Sequence, residues 1–168
     1  MAQWEAPESF AEYVRDRHRE LLRFATALTG SRSAADDLVQ DALERVGLRW
    51  HRIASDDPEG YVRRIIINRH LNLLRFRRRE RLVPDPPERP VAAPTEQPDL
   101  RAVLALLPRR QRTAVVLRYY LDHSDVEIAA LMGISASAVR SNLSRALARL
   151  RPLVVDAVEQ QGVGHVVR

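Results

Sequence analysis

The stretch that most constrains the fold is residues 124–150, whose caps and turn residues are those of two short helices joined by a tight turn. Ser124 is followed three residues later by Glu127, and this spacing is typical of a capping box at a helix start. Gly133 predicts the end of the first helix, because glycine adopts the left-handed conformation that follows a helix at no steric cost. Ser135 can cap the second helix. The stretch therefore predicts a helix-turn-helix hairpin.

Helical spacing separates an inner from an outer side in this hairpin. The outer side of the second helix carries only hydroxyls and cations, and residues 135–151 contain no carboxylate. A helix of this width fits the major groove of DNA, where arginine reads guanine edges or binds phosphates. An ordinary hairpin with a solvated basic face is the alternative. The predicted inner residues are Ile128, Ala129, Leu131, Met132, Ile134, Val139, Leu143, Ala146, Leu147 and Leu150. The outer residues are Ser137, Arg140, Ser141, Ser144, Arg145 and Arg149.

Composition narrows the class of protein. A chain of 168 residues that is 45% hydrophobic supports one or two small domains, and its 5% aromatic content favours helices over sheet. The absence of cysteine excludes disulfides and thiolate metal sites. No apolar run approaches the roughly 20 residues that span a membrane, and the first ten residues do not resemble a secretory signal. We therefore expect a cytoplasmic protein without membrane insertion.

Charge is distributed unevenly along the chain. Residues 1–59 hold eight arginines and twelve acids, whereas residues 60–81 hold eight arginines and one acid. All 27 basic residues are arginine. A basic block beside an acidic one indicates two different partners, and the basic surface is expected to meet nucleic acid phosphates.

Two amphipathic helices are predicted in the acidic segment. The first begins with a capping box of Ser9 and Glu12 and is closed by Gly30. The second begins after Ser33 and runs through Val46, with apolar residues on one side.

The polar side of that second helix carries an acidic ridge, formed by Asp37, Asp41 and Glu44 at i, i+4 and i+7. Three carboxylates could hold Mg²⁺ for a nuclease. One straight ridge makes a poor octahedral site, however, and no histidine or lysine accompanies it. A solvated face or a protein-docking face is favoured.

A third helix is predicted from Pro58, capped by Asp57, to about Arg81. Asn68 and Asn72 lie one turn apart among arginines, a pattern that suits contact with unpaired bases. A solubilising arginine-rich helix end is the alternative. The predicted inner residues are Tyr61, Val62, Ile65, Ile66, Leu73 and Leu74, with Trp50 and Ile53 of the preceding connector against the core. The outer residues are Arg64, Asn68, Arg69, Asn72, Arg75, Arg78 and Arg79.

Six of the ten prolines fall within residues 82–98, which predicts an extended linker. Beyond it we expect a short helix over 99–107 and another opened by Pro108, with Ala114, Val115, Leu117, Leu121 and one of the two tyrosines inward. The chain is thus predicted to be all-α, with a helical domain over 8–81, a linker over 82–98, a helix-turn-helix domain over 99–152 and a tail over 153–168.

Nothing in the sequence indicates catalysis. The five histidines occur in unrelated contexts, and no pair has metal-ligand spacing. No Gly-rich phosphate loop, nucleophile elbow or Ser/His/Asp set is visible. We therefore expect no metal, no cofactor and no enzymatic activity.

Four blocks together resemble the extracytoplasmic-function (ECF) group of sigma-70 RNA polymerase sigma factors, and most of all its actinobacterial sigma-E-type branch. They are ADDLVQDALERV (35–46), YVRRIIINRHLN (61–72), LPRRQRTAVVLRYY (107–120) and SDVEIAALMGISASAVRSNLSRALARLR (124–151). The resemblance covers about residues 8 to 152 and makes the two helical domains sigma regions 2 and 4. At position 142 the family often has Arg or Lys where this chain has Asn.

The resemblance also implies site residues and partners. The residues expected to dock on the clamp helices of the largest polymerase subunit are Asp37, Gln40, Asp41, Glu44 and Arg45. Those expected at the melted −10 promoter element are Ser55, Asp56, Asp57, Arg64, Asn68, Arg69, Asn72 and Arg75. Those expected at the −35 element are Ser137, Arg140, Ser141, Ser144 and Arg145. The flap of the second polymerase subunit and an anti-sigma factor are further partners that the resemblance suggests.

Two other functions are alternatives to promoter-directed transcription. A stand-alone repressor that binds duplex DNA as a dimer would have no clear use for the acidic ridge or the proline-rich linker. An enzyme that acts on nucleic acid would need a catalytic constellation. The sequence therefore favours a factor that bridges core RNA polymerase to two promoter elements.

Overall fold

A computed structural model of the chain describes the backbone of residues 7–54, 56–80 and 100–162, with side chains for 7–54, 56–76 and 100–152. The chain divides into two compact units, Met1–Leu82 and Val83–Arg168. Every regular element in the described ranges is helical, which confirms the all-α prediction. The predicted linker over 82–98 lies outside the described residues.

The first unit is built from α1 (Glu8–Thr29), α2 (Arg32–Gly47), the short α3 (Trp50–Ile53) and α4 (Pro58–Glu80). Helix α2 packs against α1 and α4, and its apolar side is buried as the one-sided pattern predicts. Trp50 and Ile53 are buried, as expected. The indole of Trp50 lies against Phe10 and Tyr13, with ring centroids 5.2 and 5.1 Å apart.

The helix ends of this unit correct two predictions. Helix α1 begins at Glu8 behind Pro7 without a side-chain cap, because the Ser9 hydroxyl instead accepts a hydrogen bond from Trp50 Nε1 at 2.9 Å. The prediction of a capping box formed by Ser9 and Glu12 is therefore wrong. Helix α2 begins earlier than predicted, since Ser31 rather than Ser33 caps it. Gly30 closes α1 at φ 73°, as expected of a left-handed position.

Helix α4 differs from its predicted inner face. Val62 and Ile66 are buried as expected, but Leu73 is 51% exposed, and the unpredicted Ile67 and Leu71 are buried. The error arises because three consecutive isoleucines and two adjacent leucines place apolar residues all around the helix, so periodicity alone does not select a face. Within α4, none of the described side chains after Leu71 is buried, because the core of this unit ends there.

The second unit contains α5 (Leu100–Ala105), α6 (Arg109–Val115), α7 (Asp125–Met132) and α8 (Ala136–Gly162), and α6 continues into a π-helical turn, Val116–Tyr120. Helix α8 packs against α5, α6 and α7. Tyr119 and Tyr120 are 64% and 48% exposed, so the prediction that one of them faces inward is wrong. Val116 and Leu117 take the inner positions, and the wider π turn carries the tyrosines outward.

Helix α8 is longer than the sequence predicts. Its backbone continues through Pro152 to Gly162, although proline removes one hydrogen bond of the helix ladder. Val139, Leu143 and Ala146 are buried as predicted, whereas Leu147 is 41% exposed and not part of the inner face. No helix in the described ranges has both the length and the apolar character that crossing a membrane requires.

Candidate functional site

The helix-turn-helix of the second unit forms as the sequence predicts. Ser124 and Glu127 make a reciprocal capping box, in which the Ser124 N–H and hydroxyl donate to Glu127 Oε2 at 2.7 and 2.8 Å. These hydrogen bonds, led by the one from the backbone, lower the pKa of Glu127. Gly133 ends α7 at φ 64°, and the Ser135 hydroxyl accepts from Ala138 N at 3.1 Å to cap α8. Local hydrogen bonds thus fix where α7 ends and where α8 begins.

The outer face of α8 presents its polar side chains to solvent. Of the five residues expected at the −35 element, four are exposed and Ser141 is partly buried. Ser144 and Arg145 make no hydrogen bond or ion pair with other described residues. Asn142 turns back instead, because its Nδ2 donates to the Ala138 carbonyl at 2.9 Å. The four exposed residues are Ser137, Arg140, Ser144 and Arg145.

Arg140 has neighbours that the sequence did not reveal. Its Nη1 lies 3.7 Å from Oδ2 of Asp125, the first residue of α7. The other oxygen of Asp125 forms an ion pair with Arg118 Nη2. Asp125 and Arg118 are 15 and 22 positions from Arg140 along the chain. The packing of α7 on α8 brings Asp125 beside Arg140.

The acidic ridge lies on the solvent side of α2 and is partly neutralised by its neighbours. Gln40 Nε2 donates to Glu44 Oε1 at 3.0 Å, and Arg45 Nε lies 3.2 Å from Asp41 Oδ2. Asp37 is exposed and makes no hydrogen bond or ion pair with other described residues. Asp37 is therefore the most available carboxylate of the ridge.

Asp41 also joins α2 to α4. Arg69 Nε donates to Asp41 Oδ2 at 2.6 Å, and Arg69 Nη2 donates to Oδ1 at 3.3 Å. This two-point geometry is the strongest arrangement for an arginine–carboxylate pair. The sequence placed Arg69 among the residues that contact DNA, and the structure shows its guanidinium engaged with the ridge.

The remaining residues expected at the −10 element lie along α4 and at its N-terminus. Asn68 and Asn72 are exposed one turn apart, and Arg75 Nη1 donates to Asn72 Oδ1 at 3.3 Å. Asp57 caps α4, as predicted, because its Oδ1 accepts from Gly60 N at 2.9 Å. Arg64 and Asp56 are exposed, and the backbone and side chain of Ser55 lie outside the described residues. The side-chain amide of Asn68 makes no hydrogen bond with other described residues.

The chemistry of these surfaces is that of binding. The described residues contain no cluster of three or more histidine or carboxylate side chains that could hold a metal ion. The α8 face offers cations and hydroxyls, which suit phosphates and base edges. The α2 ridge offers carboxylates, which suit a basic protein surface. Fold and surfaces together are those of a two-unit helical DNA-binding protein, with an acidic face on the first unit.

Comparison with known proteins identifies the family. Residues 13–80 match the family model for sigma-70 region 2, and residues 98–150 match the model for sigma-70 region 4. The chain is 42% identical over 152 residues to RNA polymerase sigma-E factor of Streptomyces coelicolor, which covers 87% of this chain and 86% of that relative. It is 31% identical over 155 residues to ECF RNA polymerase sigma factor SigM of Mycobacterium tuberculosis, covering 87% and 77%. The chain belongs to the ECF sigma factors of the sigma-70 family.

A solved structure supports the same fold. The sigma factor RpoE of Bartonella quintana, crystallised in complex with the anti-sigma factor NepR, aligns with a TM-score of 0.54 at 24% identity. The alignment covers 88% of this chain and 98% of that chain. As a member of its family, this protein directs RNA polymerase to specific promoters, and a repressor that acts without polymerase is not favoured.

Proposed function

We propose that the two units divide the promoter between them, with residues 8–81 acting as sigma region 2 and residues 99–152 as sigma region 4. The observation that carries this proposal is the capped helix-turn-helix, because it holds the cationic outer face of α8 at a set angle to the rest of its unit. Residues 82–98 would span the distance between the two DNA elements, and residues 153–168 have no assigned role.

Docking on core RNA polymerase is assigned to α2. The exposed Asp37, together with Gln40 and Glu44, presents acceptors to a basic partner, which we take to be the clamp helices of the largest subunit. Asp41 is braced by Arg45 and Arg69, so its role is to fix the ridge as well as to dock. The flap of the second polymerase subunit is proposed to contact the second unit of this chain, residues 99–152.

Recognition of the −10 element is assigned to α4 and the turn before it. Asn68 and Asn72 can bond the edges of unpaired bases, while Arg64 and Arg75 meet the backbone. Asp56, Asp57 and the neighbouring Ser55 border the same end of α4. Arg69 belongs to the same group, and its hydrogen bonds to Asp41 would hold its guanidinium in place beside the DNA.

Recognition of the −35 element is assigned to the outer face of α8. Arg140 lies in the second turn of the helix, near the end that enters the groove most deeply in helix-turn-helix docking. Arg145 is further along and suits a phosphate contact. Ser137, Ser141 and Ser144 supply hydroxyls between them.

Membership of the family supports three broader proposals. The protein acts as a non-enzymatic subunit, without a metal or cofactor of its own. It works in the cytoplasm, where the polymerase and its promoters are. An anti-sigma factor is a suitable regulatory partner, since the Bartonella quintana sigma factor was crystallised with one.

Reconstituted transcription tests the proposal. The full chain is assembled with an actinobacterial core polymerase and offered a library of duplexes randomised over the −10 and −35 regions. Each duplex carries a transcribed barcode that identifies its promoter, and the run-off products are sequenced. We expect two separate conserved blocks that appear only when both chain and core are present. DNA selected by the chain alone, with no transcript, would contradict the proposal and support the repressor.

A further inference from the structure

Among the described residues, Asp125 is the charged neighbour that lies at ion-pair distance from Arg140. It is 64% exposed on α8, and Asp125 at the start of α7 lies beside it. The 3.7 Å between Arg140 Nη1 and Asp125 Oδ2 is an ion-pair distance, longer than a hydrogen bond. The carboxylate of Asp125 therefore attracts the guanidinium of Arg140 towards α7, while most of the guanidinium remains exposed to solvent.

The carboxylate of Asp125 is itself anchored. Arg118 Nη2 forms an ion pair with Oδ1, and Arg118 Nη1 donates to the His123 carbonyl at 3.0 Å. The side chains of Arg118 and Asp125 are only 31% and 22% exposed. Arg118 thus ties the carboxylate to the turn that precedes α7, and Asp125 cannot follow Arg140 if that side chain moves.

The space around Arg140 gives this contact a purpose. Arg140, Asp125 and Arg118 line an open cleft of about 510 Å³ that also borders Leu143 and Ser144. A long arginine side chain beside such a cleft can adopt many rotamers, and each lost rotamer adds to the entropic cost of binding. A fixed carboxylate restricts them before DNA arrives.

We propose that Asp125 is a positioning residue for −35 readout, which orients the guanidinium of Arg140 while Arg118 holds the carboxylate from behind. This inference rests on the proposed role of α8 in the major groove. Asp125 also offsets one of the two neighbouring positive charges. It therefore lowers the general attraction to phosphates while it raises the discrimination between bases, and these two effects separate it from a merely structural residue.

The test uses the holoenzyme and a duplex library randomised only over the −35 region. Asp125→Asn removes the charge at nearly constant size, and Asp122→Asn is the matched control. Asp122 is exposed at φ 55°, a conformation that asparagine tolerates well, so the control makes the same charge change without strain.

We expect Asp125→Asn to reduce discrimination between the best and the single-base variant sites by about tenfold, in the range of one good base contact. Binding to unrelated duplex should rise by roughly twofold as the repulsive charge is lost. Asp122→Asn should leave the base preference unchanged.

A second variant shows whether the effect passes through Arg140. Arg140→Ala should reduce the base discrimination at the same −35 positions. In the Arg140→Ala background, Asp125→Asn should cause no further loss of discrimination. A further loss in the double variant, or a base preference that survives Asp125→Asn while Arg140→Ala abolishes it, would overturn the inference and leave the proposed function intact. A wild-type holoenzyme that selects no −35 sequence would instead overturn the proposed role of α8.

Discussion

Arg112 is a fully buried cation in the second unit, with 1% of its surface exposed. Its Nη1 lies 3.3 Å from the carbonyl oxygens of both Ala105 and Leu107, where α5 ends. Carbonyls at a helix end have no partner within the helix, and a buried one is costly to leave unpaired. Arg112 therefore closes α5 in the way that a cap would.

Arg112→Ala is expected to destabilise the second unit by at least about 3 kcal/mol, since it removes the donor and leaves a cavity. Amide hydrogen exchange in α8 of the full chain measures this. Arg110→Ala is the control, because Arg110 is exposed two positions away and its loss should cost within about 0.5 kcal/mol. Equal protection in the two variants would show that Arg112 carries no such role.

The capping box predicts a pH dependence for α7. The pKa of Glu127 is lowered in the folded state, so this residue stabilises α7 above its unfolded pKa and loses that effect as the pH falls through the folded value. We expect Glu127→Gln to reduce the protection of α7 amides at pH 7 and to make no difference under strongly acidic conditions. Exchange rates corrected for the intrinsic rate at each pH decide this.

The serine of the same box has its own expected effect. Ser124→Ala should destabilise α7 by about 1 kcal/mol, the usual cost of losing a cap. Ser144→Ala provides the control, since Ser144 is exposed in the middle of α8 without a partner among the described residues. Unaltered α7 protection in Ser124→Ala would mean that tertiary packing alone holds the start of this helix.

At the scale of the element, α2 carries two kinds of residue among those that we propose to dock on core polymerase. Asp37→Arg should abolish or greatly weaken assembly with core polymerase and change stability by no more than about 0.5 kcal/mol, because Asp37 is exposed and unpaired within the described residues. Asp41→Arg should also destabilise the unit, since it sets a third guanidinium beside Arg45 and Arg69. Native core-binding assays and Trp-detected unfolding separate the two effects. Full core affinity in Asp37→Arg would refute docking through this ridge.

Helix α4 supports a prediction about melted DNA. Asn68→Ala and Asn72→Ala should reduce open-complex formation on duplex promoters, because they remove the exposed amides that we propose to hold unpaired bases. A pre-melted promoter should restore part of the activity, since the unpairing cost of a few kcal/mol no longer applies. Permanganate footprinting on both templates measures this. Normal opening of duplex promoters by both variants would show that α4 does not hold the melted strand.

At the scale of the whole molecule, the two units are expected to unfold separately, because each buries its own core. Both tryptophans, Trp4 and Trp50, precede the second unit, so tryptophan fluorescence reports the unfolding of the first unit. Ile128→Ala should destabilise the second unit by about 2–5 kcal/mol and leave the fluorescence-detected transition unchanged. Ile66→Ala should shift that transition. Circular dichroism follows both units, and a single coincident transition in every variant would contradict their independence.

Much of the molecule could be predicted from the sequence because its signals are local. The Ser124 and Glu127 box, the left-handed Gly133 and the cap at Asp57 each depend on residues within a few positions of one another. The same holds for the one-sided apolar pattern of α2. These particular signals kept their local partners in the folded chain, and together with four family blocks they sufficed for fold class and family.

Other features depended on which residues meet across the fold. Ser9 looked like a cap, but the indole of Trp50, 41 residues away, takes its hydroxyl. The contact of Arg69 with DNA stays a prediction, but no local signal showed that α2 brings Asp41 to Arg69 across 28 residues. A polar side chain has several acceptable partners, and the sequence does not say which will be near.

The sequence by itself determined that the chain is all-helical, where its main turns fall, and to which family it belongs. Only the tertiary structure decided which side of α4 is buried, which arginine closes α5, and which carboxylate stands beside Arg140. The physical reason is that caps and periodicity are set by neighbours along one helix. Burial and ion pairing are set by the helices that pack against it, as α7 on α8 and α2 on α4 show.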